Sequence, residues 1–103
     1  MSANKWRGEA SLDVGGEAML LRPSFQALVA AEEELGPLFE LVERAAEGRL
    51  TLSEIAILFD HLSIRHRPPA IDRMRIGEAI IGIGLAGIAS PLKIILKQIL
   101  AGK

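Results

Sequence analysis

The chain contains no cysteine, which removes disulfide frameworks, thiol catalysis and cysteine-ligated zinc from consideration. It has no tyrosine, and its only aromatic residues are Trp6, Phe25, Phe39 and Phe59. So few aromatic faces argue against a surface built to stack bases or sugars. No apolar run approaches the roughly 20 residues that cross a bilayer. The longest charge-free stretch is Ala79–Leu92, interrupted by glycines and ending beside Pro91, so a buried core helix is expected there and membrane insertion is not. Met1 to Glu9 have no apolar core behind their basic residues, and no secretory signal is expected. A reducing cytoplasm is the expected setting.

What is present is a globular composition: 103 residues, 50% hydrophobic and 24% charged. That size supports one hydrophobic core and a single domain over 1–103. Charge is distributed unevenly. Residues 1–54 hold ten acids and five bases, whereas residues 55–103 hold three acids and seven Lys or Arg. Solvated faces account for most of this, with charge-steered or head-to-tail contacts as the sharper reading.

The pattern predicts an α+β fold, mostly α: a β-hairpin over 9–22, then four to five short helices over 24–101 in a compact bundle. Ala10, Leu12 and Val14 alternate with Ser11 and Asp13, the two-residue period of a half-buried strand. Gly15-Gly16 supplies the positive φ angles of a tight turn. A two-residue turn pairs Leu12 with Met19, Ala10 with Leu21 and Glu9 with Arg22, and leaves Leu20 on the outer face. Ser24 is a candidate N-cap for a first helix with Phe25, Leu28 and Val29 inward. Gly36-Pro37 divides it from a second helix bearing Leu38, Leu41, Val42 and Ala45. Thr51 and Glu54 have capping-box spacing ahead of a third helix with Ile55, Leu58, Phe59 and Leu62 inside. Asp72 caps a fourth. A fifth buries Ile88, Leu92, Ile95 and Ile99, with Lys93 and Lys97 outward near its negative end.

Several motifs invite a chemical reading. Gly82-Ile83-Gly84-Leu85-Ala86-Gly87 spells G-x-G-x-x-G, but a dinucleotide site needs a following strand and an acid about 20 residues on. No acid follows Glu78, so the glycines are expected to mark close helix packing or a break between helices. Arg65-His66-Arg67, with Arg73 and Arg75, is expected as a solvated loop, with an acidic partner contact as the alternative; a nucleic-acid site would need more positive charge. Glu32-Glu33-Glu34 is expected on a solvated flank. His61 and His66 lack zinc-ligand spacing, and no serine has a base at hand. Neither catalysis nor a cofactor or metal is expected.

Arg7-Gly8-Glu9, the glycine-turned strand, Leu21-Arg22-Pro23-Ser24-Phe25-Gln26-Ala27-Leu28 and the acidic helix at Glu32-Glu33 stand in a telling order. Gly48-Arg49-Leu50 and Ile81-Gly82-Ile83-Gly84-Leu85-Ala86 follow. The whole resembles the gene transfer agent and phage tail assembly chaperones, a family also catalogued as tail tube proteins. The Arg65-His66-Arg67-Pro68-Pro69 stretch departs from the glycine-rich or acidic segment usual there. The resemblance implies a non-enzymatic cytoplasmic protein that coats the tape-measure protein while tail tube subunits polymerise, with tail tube protein and a second copy as further partners. A tube component, a small membrane-active phage protein and a nucleic-acid regulator are the alternatives. Partner contact is expected at Leu20, Ile80, Ile83, Leu85 and Ile88.

Overall fold

The computed structural model describes residues 8–65 and 67–102. Trp6, Arg7 and His66, which figure in the sequence expectations, lie outside them. The described residues form strands β1 (Ala10–Val14) and β2 (Glu17–Leu21), then helices α1 (Phe25–Leu35), α2 (Leu38–Ala46), α3 (Leu52–Ser63), α4 (Arg73–Ile83) and α5 (Leu85–Ala101). This is the mostly helical α+β architecture that the sequence pattern predicts.

The hairpin adopts the predicted register, with Leu12 opposite Met19, Ala10 opposite Leu21 and Ser11 opposite Leu20. Gly15 and Gly16 sit at φ 61° and 87°, values that side chains with a Cβ rarely adopt. Ala10, Leu12 and Val14 are buried while Ser11 and Asp13 are exposed. Glu9 meets Arg22 at 3.6 Å. Strand β2 departs from the expected alternation. Leu20, assigned to an exposed outer face, is only 7% exposed, so Met19, Leu20 and Leu21 are buried in succession. β2 packs beside α3, and the Arg22 N–H donates to the Leu62 carbonyl at 2.9 Å. Leu20 stands outside the apolar cluster that takes in Met19 and Leu21, so the outer face of β2 is covered and the simple two-faced strand does not hold there.

Helix α3 lies at the centre, packed against α1, α4 and β2. Its start is fixed by the capping box: Thr51 Oγ1 accepts the Glu54 N–H at 3.1 Å, and Glu54 Oε1 accepts the Thr51 N–H at 2.9 Å. Ile55, Leu58, Phe59 and Leu62 are buried, as the helical spacing predicts. Ser24 caps α1 by accepting the Ala27 N–H, but α1 is rotated from its expected orientation. Ala31 is fully buried, with Ala27, Leu28 and Leu35 packed against the core. Phe25 and Val29, expected inside, are 85% and 39% exposed. Two alanines on one flank let α1 approach α3 closely, and that choice turns the larger side chains outward.

Asp72 caps α4 through the Arg75 N–H at 2.9 Å. The G-x-G-x-x-G segment is a helix break: Gly84 adopts φ 92°, and α4 and α5 diverge by 119°. Gly82, Ala86 and Ser90 are exposed, so close helix packing is not their role. Ile76 and Ile80 of α4 and Ile88 and Ile95 of α5 are fully buried. Among the described residues no single helix is long and apolar enough to cross a membrane. Helix α5 runs on to Ala101, so Lys93 and Lys97, though exposed, fall short of its last turn, and the expected helix-dipole contribution is absent.

Leu58→Ala and Phe59→Ala should each destabilise the fold by about 2–5 kcal/mol, measured by denaturant unfolding. Exposed Glu33→Ala should change stability by less than about 0.5 kcal/mol. Leu20→Asp should cost more than about 2 kcal/mol, because it places a charge at a position only 7% exposed to water.

Candidate functional site

Of the polar residues noted in the sequence, Glu34, His61, Arg67 and Arg73 converge on α3, whereas Glu33, Arg65 and Arg75 are exposed. Asp60 is buried and both its oxygens are engaged. Arg67 Nη1 donates to Oδ1 at 2.6 Å, and Arg73 Nε donates to Oδ2 at 3.1 Å. Arg67 also donates to the Asp60 carbonyl and to Ser63 Oγ. Arg73 forks onto Glu34 of α1, with Nη2 2.8 Å from Oε1, and Glu34 takes a second partner in His61 Nε2 at 2.7 Å. The Arg73 guanidinium, followed by His61, holds the Glu34 carboxyl down at about 2. Glu54 is likewise held at about 2, by Arg44 first and then by the Thr51 N–H.

Two expectations change accordingly. Arg67 is no solvated loop residue, since it is fastened to α3, whereas Arg65 and Pro69 are exposed as expected. Only Glu33 of the acidic triplet is simply solvated: Glu34 joins α1 to α3 and α4, and Glu32 Oε2 accepts the Leu38 N–H at 3.0 Å. Every carboxylate oxygen of the Asp60–Glu34 cluster is committed to a cation, so the cluster acts as a clamp between elements. Among the described residues no group of three or more His, Cys, Asp or Glu is placed to hold a metal ion.

The unsatisfied surface is apolar. A groove of about 380 Å³ runs between α1, α2 and the end of α5. Phe25, Val29, Phe39 and Leu100 line it and are all exposed, Phe39 at 72% and Leu100 at 62%. Leu28, Leu38, Val42 and Ile99 complete its floor, and Glu32 is its one charged lining residue among the described residues. A second groove, of about 270 Å³, lies between the α2–α3 connection and α5, with Leu52, Leu85, Ile88 and Lys93 among its lining.

Of the residues expected to meet a partner, Ile83 and Leu85 are exposed, at 41% and 64%. Leu20, Ile80 and Ile88 are interior. Leu85 and Ile88 come together in the second groove, whereas Leu20, Ile80 and Ile83 line neither groove. The Phe25–Phe39 groove escaped sequence reasoning because α1 offers two apolar flanks. Ala27, Ala31 and Leu35 share one, Phe25 and Val29 the other, and bulk alone favours the wrong one.

The family model described as phage tail tube protein, GTA-gp10, matches residues 7–102. The chain belongs to that family. Comparison with curated proteins and with solved structures gave no match. The match spans the hairpin, every helix and both grooves, so the α1 rotation and the Asp60 clamp lie within the tail protein domain itself.

Asp60→Ala should destabilise this tail protein by about 3 kcal/mol or more, since it leaves two arginines without their shared carboxylate. Acid should weaken it too. A carboxyl whose folded pKa is depressed contributes stability above its ordinary value, lost as pH falls through the folded value. For Glu34 and Glu54 that window runs from 4.5 down to about 2. Unfolding at pH 7, 4 and 2.5 should show stability falling through that window, and Glu34→Gln with Glu54→Gln should flatten the decline.

Proposed function

We propose that this tail-family protein is an assembly chaperone that holds an apolar helical segment of the tape-measure protein until tube subunits polymerise around it. It acts in the cytoplasm of the host cell, without catalysis. The observation that carries the reading is the Phe25–Phe39 groove: four exposed large apolar side chains gathered around one concavity. Helix-in-groove recognition uses this kind of surface, where an amphipathic helix seats its apolar face among a few anchoring side chains. Burial contributes roughly 25 cal/mol per Å² of apolar area removed from water. Exposed Ile83 and Leu85 at the α4–α5 corner supply a second contact for a long partner. The hairpin does not contribute, because Leu20 is enclosed.

A structural place in the tail tube is the second reading, and the family's own description speaks for it. A closed ring of subunits is more naturally built from broad sheets, and the described residues hold one two-stranded sheet. That favours the chaperone.

Co-expression with the cognate tape-measure protein, followed by co-purification at low and high salt, tests the proposal. A complex should be recovered in both, because apolar contacts outlast the screening that weakens exposed ion pairs. Phe25→Asp with Phe39→Asp should abolish recovery while leaving the melting temperature nearly unchanged. No complex at either salt, with both proteins folded, would overturn the chaperone role. Stoichiometric presence in finished particles would instead favour the tube.

A further inference from the structure

We infer that the occupant of the Phe25–Phe39 groove is an amphipathic helix whose apolar stripe is bordered by lysine and arginine. The inference rests on the reading of this groove as a helix-docking site and adds the charge of what it accepts. The α1 and α2 edges of the groove are acidic. Glu32 lines it directly. Glu33 follows Val29 by one helical turn and Glu43 follows Phe39 by the same step, so each extends the flank that those side chains begin. Both are exposed, and among the described residues neither belongs to an ion pair. Among the described residues no lysine, arginine or histidine lines the groove. Arg44, the cation of α2, is committed to Glu54 at 2.8 Å. On α5, among the described residues, Lys97 is the one cation within a helical turn of Leu100, against three carboxylates on the α1 and α2 edges.

A helix seated in an apolar floor places the residues beside its stripe against the groove edges. Lysine or arginine there meets Glu32, Glu33 and Glu43 at the rim, whereas glutamate or aspartate meets like charge. Rim charges of this kind govern encounter rate and partner choice more than total affinity. Apolar burial therefore holds the helix and the acidic rim selects it.

The test uses the full chain and two synthetic peptides of about 18 residues, long enough to take up helix. They share one Leu/Ala stripe, flanked by Lys in one and by Glu in the other, and binding is read by fluorescence anisotropy. The Lys-flanked peptide should bind about threefold to tenfold tighter at low salt. The gap should close near 0.5 M salt, where screening acts over about 4 Å. Glu33→Lys with Glu43→Lys should reverse the preference without moving the melting temperature, since both sites are exposed. Equal binding of the two peptides at low salt, or a preference that survives the charge reversal, would overturn the charge selection while leaving the groove as a docking site. Failure of both peptides to bind would overturn the docking reading, and this inference with it.

Discussion

A buried carboxylate cannot stand alone, and in this protein Asp60 organises much of what surrounds it. Removing a charged group from water costs several kcal/mol unless hydrogen-bonding partners compensate. Asp60 obtains them from Arg67, in the connection after α3, and from Arg73, in the first turn of α4. Arg73 is then positioned to reach Glu34, which draws α1 onto the same side of α3. One residue thus sets the relative placement of three helices and a loop. Apolar burial supplies most of the driving force, but it is non-directional. The clamp supplies the geometry, because a guanidinium fork tolerates little misalignment.

The placement of α1 has a consequence for the surface. With Glu34 tied to Arg73 and His61, and Ala31 against the core, Phe25 and Val29 can only face outward. They meet Phe39 of α2 and Leu100 of α5 there, so the groove is the reverse side of the contact that fixes α1. The uneven charge of the two halves of the sequence is resolved in the same way. Glu34 in the acidic half pairs with Arg73 in the basic half, so part of the asymmetry is internal bonding and not a field presented to partners. What remains outside the ion pairs of the described residues on α1 and α2 is Glu32, Glu33, Glu40 and Glu43, of which Glu32, Glu33 and Glu43 border the groove.

The elements of this fold were legible because their signals are local. The glycine pair set the hairpin turn and register, the Thr51–Glu54 box set the start of α3, and Asp72 set the start of α4. Helix orientation was less legible. For α3 the apolar residues share one stripe, and the expected face is the buried one. α1 carries apolar residues on two flanks, and only the position of α3 chooses between them. Leu20 failed for a related reason: strand alternation separates the two faces of the sheet but does not say whether the outer one is covered. The polar cluster was hidden by distance, since Glu34 and Arg73 are 39 residues apart and each looks like ordinary surface charge in its own segment. Family membership, by contrast, was legible across nearly the whole chain, because it depends on the order of short motifs and not on which way side chains point.

The groove also marks where the sequence departs from what folding alone requires. Phe25 is the first residue of α1 and Phe39 the second of α2, and neither belongs to the core cluster. Phenylalanine is a middling helix former, and exposing its ring to water forgoes about 1.5–3 kcal/mol of burial. A polar residue in either place would serve the isolated fold as well or better. Along α3 local propensity, capping and packing agree, from the capping box to the buried stripe; Pro91 inside α5 and the exposed Met74 and Ile81 of α4 are departures that do not line this groove. Where those levels disagree, a functional demand is the usual physical explanation. Here the disagreement falls on the residues that flank one apolar concavity with an acidic rim, which is why the partner surface is assigned to the α1–α2–α5 groove and not to the hairpin.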